Sequence, residues 1–278
     1  FIMMSYPSSK ITWDCHMHSS FSLDSDTPAE EMILSAISKG LKGICLTEHH
    51  DPDYPDIPEK ADWGLDIQNY HSSLLQLKEQ YKDQLEIRFG IELGLQPHLA
   101  NGFSSLLKEY PFDFVIGSSH VLHGEDPYYP RFFAGRDEAE CYTEYFESIL
   151  ENLNAFSDFD VYGHIDYIVR YGPNKNQNYS YSRYREILDA ILKSIIGKNV
   201  GLEINTGGFH YGLGQPNPCS EVIRRYRELG GEIVTIGADA HTPDTIARDF
   251  QKAAEILHTC GFRYYTVFRN RKPEFISL

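Results

Sequence analysis

The stretch Ile11-Thr12-Trp13-Asp14-Cys15-His16-Met17-His18 contains the pattern on which the fold is built. We predict a β-strand at 11–15, and Thr27-Pro28-Ala29-Glu30 then supplies an N-cap, a proline at the first helical position and the glutamate of a capping box. The helix that follows ends at Gly40. Strand and helix form one βα unit. Because side chains alternate along a strand, His16 and His18 point the same way and can bind one metal ion together.

The same alternation of a short apolar strand and a longer amphipathic helix continues to the end of the chain and predicts parallel strands joined by helical crossovers. Since no Ser/Gly linker or change in composition divides the sequence, we predict an α/β barrel that forms a single domain over 1–278, with its core at about 11–268. Eight strands are predicted in all. The later seven are at 43–47, 85–91, 112–118, 159–162, 200–204, 232–236 and 263–268, and the later helices are at 66–82, 102–109, 137–153, 183–196, 220–229 and 243–259.

The composition restricts the classes of protein to which the chain can belong. Of its 278 residues, 41% are hydrophobic and 13% aromatic, which is enough to form a core, and the net charge of −15 argues against a surface that binds the nucleic-acid backbone. No apolar run reaches the ~18 to 20 residues of a membrane span. The five cysteines are scattered without a Cys-x-x-Cys pair, as in a reducing compartment. We therefore expect a cytoplasmic enzyme with a small-molecule substrate, no membrane partner and no nucleic-acid partner.

Histidines and acidic residues follow six of the first seven predicted strands, which is where a parallel barrel forms its active site. One histidine at a strand end is usually a hydrogen-bonded loop residue, but six such placements in one barrel favour a shared site. His50, His71, His98, His123 and His258 lack this placement and are assigned structural roles. The runs at the strand ends are His16-Met17-His18, Thr47-Glu48-His49-His50-Asp51, Gly90-Ile91-Glu92, Ser118-Ser119-His120, Gly163-His164-Ile165-Asp166 and Gly237-Ala238-Asp239-Ala240-His241.

This ordered series of motifs resembles that of the polymerase and histidinol phosphatase (PHP) superfamily, in particular its histidinol-phosphatase branch. The resemblance extends from about residue 11 to residue 268, and it implies a distorted (β/α)7 barrel that holds two to three divalent metals. Asp24 stands where other branches carry histidine; an oxygen ligand suits Zn, Fe or Mn. The implied ligands are His16, His18, Glu92 and Asp239 for a first metal, Glu92, His120 and His164 for a second, and Asp24, His49 and His241 for a third.

The resemblance also implies a metal-dependent phosphomonoesterase that hydrolyses L-histidinol phosphate to L-histidinol and phosphate in histidine biosynthesis. Phosphate monoesters are among the slowest compounds to hydrolyse, because the dianion repels hydroxide. Neighbouring metal ions supply both an activated hydroxide and positive charge for the phosphate oxygens. A set of nine ligands is therefore expected for this chemistry, with Asp239 as a catalytic residue.

Three further residues are candidates for substrate contacts. Arg170 can bind two phosphate oxygens at once, although it could instead be a rim arginine paired with one of the many carboxylates. After the sixth strand, Gly207-Gly208 stands where a basic residue is expected, so His210 could supply that phosphate contact or protonate the leaving alkoxide. Arg131, together with Arg136, is a weaker candidate for a second phosphate clamp. The loops at 51–62 and 172–181 are predicted to be lids or rims.

Two alternatives remain open at this point, and the sequence does not indicate an oligomeric state. One is a PHP-type phosphoesterase or exonuclease that acts on nucleotides or nucleic-acid ends, which would need a basic, aromatic strip next to the metals. The other is a barrel that binds metals without catalysis, which a complete ligand set disfavours. Residues that could form the aromatic strip are Tyr128, Tyr129, Phe132, Phe133, Tyr179, Tyr181 and Tyr184, with Arg131, Arg183 and Arg185.

Overall fold

The computed structural model describes residues 10–55 and 63–278, and a parallel barrel of seven strands lies at its centre. The strands are hydrogen-bonded in chain order, and the last returns to the first, where the Asp239 N–H donates to the His16 carbonyl oxygen at 2.9 Å. The predicted (β/α)7 fold is confirmed. The strands are β1 (Trp13–Asp14), β2 (Gly43–His50), β3 (Glu86–Gly94), β4 (Phe114–Ser118), β5 (Val161–Tyr162), β6 (Gly201–Asn205) and β7 (Val234–Gly237).

Within residues 10–55 and 63–278, seven α-helices connect and cover these strands. The strands are buried nearly throughout, as expected for parallel strands with the barrel interior on one side and helices on the other. Each helix turns an apolar stripe toward the barrel; in the longest helix this stripe includes Tyr145, Phe146 and Ile149, all fully buried. The helices are α1 (Ala29–Ser38), α2 (Ile67–Tyr81), α3 (Ala100–Glu109), α4 (Glu138–Ala155), α5 (Arg185–Gly197), α6 (Ser220–Glu228) and α7 (Phe250–Thr259).

The predicted eighth strand lies outside the barrel. It forms β8 (Tyr264–Arg269), which pairs antiparallel with β9 (Lys272–Ser277), a strand that the sequence analysis did not predict. The turn between them, Asn270-Arg271, has positive φ at both residues, and without a glycine it gives only a weak hairpin signal. The hairpin packs against the amino-terminal ends of the barrel strands, opposite the predicted site, since the Phe268 ring stacks on that of Phe114.

Most helix bounds lie within two residues of the prediction, and the starts of α1 and α7 differ from it for identifiable reasons. Helix α1 begins at Ala29 after Pro28, and the Thr27 hydroxyl donates to the His241 carbonyl oxygen at 3.2 Å instead of capping the helix. The predicted capping box is therefore wrong, because the Thr27 hydroxyl is bound to the distant His241 and not to the start of the helix. Helix α7 begins at Phe250 rather than at 243, since Asp249 has a left-handed backbone with φ of 63°.

The loops predicted as rims differ in how far they are described. Residues 56–62 of the first loop lie outside the described residues. The second loop is tied to its neighbours: the Lys175 carbonyl oxygen accepts from the Tyr142 hydroxyl at 2.7 Å, and the Lys175 ammonium donates to the Tyr211 carbonyl oxygen. It forms a fixed rim beside the carboxyl ends of the strands.

No helix within the described ranges is long and apolar enough to cross a membrane. All five cysteines are buried and free, which agrees with the absence of paired spacing in the sequence. The division of the whole chain into one domain stays a prediction.

Candidate metal centre and substrate pocket

The first predicted ligand set meets at one carboxylate oxygen. Asp239 Oδ1 lies 3.2 Å from His16 Nε2 and 3.0 Å from His18 Nε2, and Glu92 Oε1 lies 3.2 and 3.4 Å from the same two nitrogens. The two histidines and Glu92 are fully buried. Asp239 follows β7 with a left-handed φ of 56°, a backbone conformation that only a few per cent of non-glycine residues adopt. His16 and His18 follow β1 on either side of Met17, which bridges to Ala240 in parallel, and this alternation brings both imidazoles to one point.

The second set uses the other oxygen of the same glutamate. Glu92 Oε2 lies 3.4 Å from His120 Nε2 and 3.3 Å from His164 Nε2. It also accepts a hydrogen bond from the Ser118 hydroxyl at 2.7 Å, which fixes the carboxylate plane. Because Oε1 faces the first set and Oε2 the second, Glu92 has the geometry of a bridging ligand.

The third set lies nearer the surface. Asp24 Oδ2 is 3.2 Å from His49 Nε2 and 3.0 Å from His241 Nε2. The His49 ring stacks on that of His18 at a centroid distance of 3.9 Å, so this set adjoins the first. Asp24 and His241 are about one-third exposed, unlike the ligands of the first two sets.

Two further carboxylates orient the ligand histidines, and the sequence analysis did not identify either. Glu203, at the barrel interior of β6, contacts His16 Nδ1 and accepts the His164 N–H at 3.1 Å. Asp51 Oδ2 lies 2.7 Å from His120 Nδ1. A carboxylate on one ring nitrogen fixes the tautomer and leaves the other nitrogen for a metal ion. Asp51 belongs to the run that follows β2 and Glu203 lies within β6, so the available signal was their position at or near a strand end.

The charges within the cluster perturb its ionisation strongly. Burial and the neighbouring imidazoles of His49 and His241 lower the pKa of His18 to about 3, so this ligand is neutral. Burial also acts to lower the pKa of His120, but Asp51 and Glu92 outweigh it and raise that pKa to about 10. For Glu92, the adjacent imidazoles overcome desolvation and hold the pKa well below its usual range.

The chemistry of these donors fits transition-metal ions. Three groups of ligand atoms have all members within 4.8 Å of one another: His18, His49 and His241; His16, His18 and Asp239; and His49, Glu92 and His120. Imidazole nitrogens mixed with carboxylate oxygens suit Zn, Fe or Mn, whereas Mg and Ca prefer oxygen alone. Metal binding at this end of the barrel is therefore supported by both the number and the type of the side chains present.

A cavity of about 380 Å³ opens over the ligands, and Arg170 lines it. The guanidinium is almost completely buried; its Nη1 lies 4.0 Å from Asp239 Oδ2, and its Nη2 has no hydrogen-bond partner. It also packs over the ring of Tyr211 at 4.4 Å. A buried cation with an unused donor next to a metal-ligand carboxylate is suited to binding an anion.

The structure does not bring His210 or Arg131 into this cavity. The 3₁₀ turn Thr206–Tyr211 presents Tyr211 to the cavity, while His210 Nε2 lies 2.6 Å from Asp249 Oδ2 at the surface. Arg131 lies over the Tyr129 ring at 5.6 Å and is likewise absent from the lining. The phosphate contacts predicted for His210 and Arg131 are thus absent from the structure, because these side chains contact Asp249 and Tyr129 instead.

Aromatic rings make up much of the rest of the cavity lining, which also carries one further carboxylate. Asp126 is 7% exposed; it accepts the Tyr128 N–H at 2.8 Å and the Tyr167 hydroxyl at 3.3 Å, and it also contacts the Tyr54 hydroxyl. Rings cover the surface around it. The aromatic residues that line the cavity are Tyr54, Trp63, Tyr128, Tyr129, Tyr167, Tyr171 and Tyr211.

Much of the proposed aromatic strip for nucleic acid is instead internal packing. Phe132 and Phe133 are 1% and 6% exposed, and Tyr184 packs against Phe146 of α4 at 5.7 Å. Only Tyr128 and Tyr129 of that strip line the cavity. Buried rings cannot stack on a series of bases, so the described residues favour a small, enclosed substrate.

Comparison with known proteins agrees with this site. The PHP domain family matches residues 14–207. The chain is 30% identical to the histidinol-phosphatase of Lactococcus lactis over 263 residues, which cover 93% of this chain and 95% of the relative. It is 32% identical to a probable histidinol-phosphatase of Clostridium acetobutylicum over 256 residues, which cover 91% of this chain and 95% of that relative. The crystal structure of the Lactococcus lactis histidinol phosphate phosphatase, complexed with zinc, L-histidinol and phosphate, matches with a TM-score of 0.88 at 30% identity, covering 95% of this chain and 98% of that one. These matches and the barrel with its His/Asp/Glu clusters show that the chain belongs to the PHP domain family.

Proposed function

We propose that this chain is a metal-dependent phosphomonoesterase that hydrolyses L-histidinol phosphate to L-histidinol and phosphate, a reaction of histidine biosynthesis. The observation that carries the proposal is one cavity whose lining combines metal-ligand side chains, the buried cation of Arg170 and the carboxylate of Asp126 among aromatic rings. Such a cavity matches a substrate that joins a phosphate to an amine and an aromatic ring. The similarity to the Lactococcus lactis phosphatase supports the same substrate.

The predicted ligands would hold two to three ions of Zn, Fe or Mn. Glu92 would bridge the first two sites, and Asp24 with His49 and His241 would hold the third. When bound, such ions lower the pKa of a water nucleophile and neutralise phosphate oxygens. Glu203 and Asp51 keep His16 and His120 in the tautomers that leave Nε2 free.

Arg170 binds the phosphate group. Its Nη1 and Nη2 can each donate to one phosphate oxygen, and burial makes this charge-assisted pair stronger than it would be in water. Asp239 Oδ2 lies 4.0 Å from Nη1, on the side of the carboxylate away from the imidazoles. We assign to Asp239 the catalytic role of accepting the proton of the attacking water at this oxygen, beside the bound phosphate.

Asp126 is the partner of the substrate ammonium. Among the residues that the structure describes, four carboxylates line the cavity: Asp24, Asp51, Asp126 and Asp239. Two of them are assigned to metal sites and Asp51 orients His120, which leaves Asp126. The rings of Tyr54 and Trp63, with centroids 5.4 Å apart, also line the cavity and offer faces for the substrate imidazole.

The test is a phosphate-release assay on L-histidinol phosphate, using protein stripped by a chelator and then reconstituted with Zn, Mn or Fe. We expect stripped protein to be inactive and reconstituted protein to release phosphate and L-histidinol in equal amounts. Activity that survives complete metal removal would contradict the proposal, as would reconstituted protein that binds metal without hydrolysing any monoester. A biosynthetic role of this kind also supports the expected cytoplasmic location, which stays a prediction.

A further inference from the structure

An asparagine on another loop, Asn217, hydrogen-bonds to the guanidinium of Arg170. Arg170 Nε donates to Asn217 Oδ1 at 2.7 Å, and both side chains are buried, Asn217 completely. Asn217 is not among the residues that line the cavity. It can therefore act on the substrate only through the guanidinium.

The orientation of the Asn217 amide is fixed by a buried carboxylate. Asn217 Nδ2 donates to Asp166 Oδ1 at 2.6 Å, which turns the amide oxygen toward Arg170. Asp166 Oδ2 in turn accepts the Cys219 N–H and the Tyr179 hydroxyl, each at 3.0 Å. Since a carboxylate accepts and does not donate, this order of donors allows only one orientation of the amide.

The backbone brings Asn217 to this position. It pairs with Asn205 at the end of β6 through hydrogen bonds in both directions, at 2.9 and 3.0 Å. At Gly208, a Cβ would lie 2.6 Å from Asn217 Oδ1 and 2.8 Å from its backbone nitrogen. Glycine is thus required where the resemblance led us to expect a basic residue, because the loop must approach Asn217 closely.

We infer that Asn217, oriented by Asp166, is a positioning residue that sets Arg170 for phosphate binding. With Nε occupied by Asn217 and the guanidinium plane packed between Tyr211 and Tyr167, at 4.4 and 5.5 Å, the arginine meets the phosphate end-on through Nη1 and Nη2. The inference rests on the proposed function only in that Arg170 binds phosphate.

The experiment is a double-mutant cycle of Asn217→Ala and Arg170→Ala, with inorganic phosphate as the probe and its inhibition constant against p-nitrophenyl phosphate as the readout. We expect Asn217→Ala to weaken phosphate binding about tenfold, the effect of one charge-assisted hydrogen bond, and to have no further effect when Arg170 is already alanine. Metal content should remain that of the wild type. Equal weakening on both backgrounds, or no weakening on the wild-type background, would overturn the inference.

Two further variants guard against a loss of folding. Asp166→Asn preserves the shape but leaves a single acceptor oxygen for donors on both sides, Asn217 Nδ2 on one and the Cys219 N–H and Tyr179 hydroxyl on the other. The Asn217 amide is then less firmly oriented, so the variant should weaken phosphate binding by a smaller factor, again only when Arg170 is present. Asn152→Ala removes a buried asparagine of α4 that donates to Ser119 Oγ at 3.1 Å, and it should lower thermal stability without changing phosphate binding. A weakening by Asn152→Ala equal to that by Asn217→Ala would overturn the inference. Should wild-type protein bind phosphate through this pair yet fail to hydrolyse histidinol phosphate, the proposed function fails and the inference stands.

Discussion

Replacement of Asp126 by Asn tests how the cavity recognises the organic part of its substrate. The carboxylate is 7% exposed, and on the proposed binding mode it pairs with the substrate ammonium. In the wild type the Tyr128 N–H donates to Asp126 Oδ1 at 2.8 Å. Asparagine has the same shape and keeps an oxygen that can accept this N–H, so the loop should keep its conformation. The change removes one negative charge and puts an amide NH2 in place of the oxygen that faces the Tyr54 hydroxyl, which can rotate to accept from it.

The size of the effect follows from the burial of the pair. A hydrogen bond to a charged group contributes about 1.5 to 3 kcal/mol, which at 1.36 kcal/mol per decade corresponds to a decrease of roughly 10- to 150-fold in kcat/KM for histidinol phosphate. p-Nitrophenyl phosphate has no ammonium, so its kcat/KM should stay within about threefold of the wild-type value. The expected signature is therefore a loss of discrimination between the two substrates.

The assay measures kcat/KM for both substrates on metal-reconstituted Asp126→Asn, wild type and a control, Asp53→Asn. Asp53 is exposed on the same side of the barrel, pairs with His98 at 2.7 Å and does not line the cavity, so its variant should retain wild-type discrimination. An equal loss on both substrates would show that Asp126 acts on folding or metals. Unchanged kinetics on both would refute its role in recognition.

Three other changes test separate parts of the site. Glu92→Gln should cause the largest loss of bound metal among single ligand variants, because both carboxylate oxygens serve a cluster; metal analysis showing wild-type stoichiometry would contradict the bridging role. Arg170→Ala should lower kcat/KM by one to three decades, roughly 1.4 to 4 kcal/mol, with metal content unchanged. Unaltered kinetics would show that Arg170 pairs with a carboxylate and does not bind the phosphate. Burial raises the pKa of Asp126, so the ratio of kcat/KM for histidinol phosphate to that for p-nitrophenyl phosphate should fall as the pH is lowered through that pKa, because the protonated acid no longer pairs with ammonium; a ratio that stays constant in the wild type would argue against the pair.

Periodicity and position within the chain were enough to predict the barrel and to place the candidate ligands at one end of it. His16 and His18 are two residues apart, on either side of the Met17 bridge that continues β1, and parallel strands end at the same edge, so these parts of the site follow from local rules. The hairpin β8–β9 was missed because its turn reaches positive φ without glycine.

The residues that complete the cavity could not be found in this way. Asp126 and Asn217 come from irregular loops, and each acquires its role through partners far along the chain: Tyr54 for the first and Arg170, 47 residues away, for the second. His210 was favoured because it is the first side chain after Gly207-Gly208 that could supply the basic group expected at the end of the sixth strand. Its pairing with Asp249 depends on the course of the loop, which sequence spacing does not determine.

The most direct test of the account is the order of kcat/KM for L-histidinol phosphate, p-nitrophenyl phosphate and a 5′-mononucleotide on the same metal-reconstituted protein. A cavity that pairs a buried arginine with phosphate and a buried carboxylate with an amine should reject analogues that leave either group unpaired. We predict that histidinol phosphate exceeds p-nitrophenyl phosphate by at least ~100-fold, although the latter has the better leaving group. Faster hydrolysis of the mononucleotide than of histidinol phosphate would contradict the account.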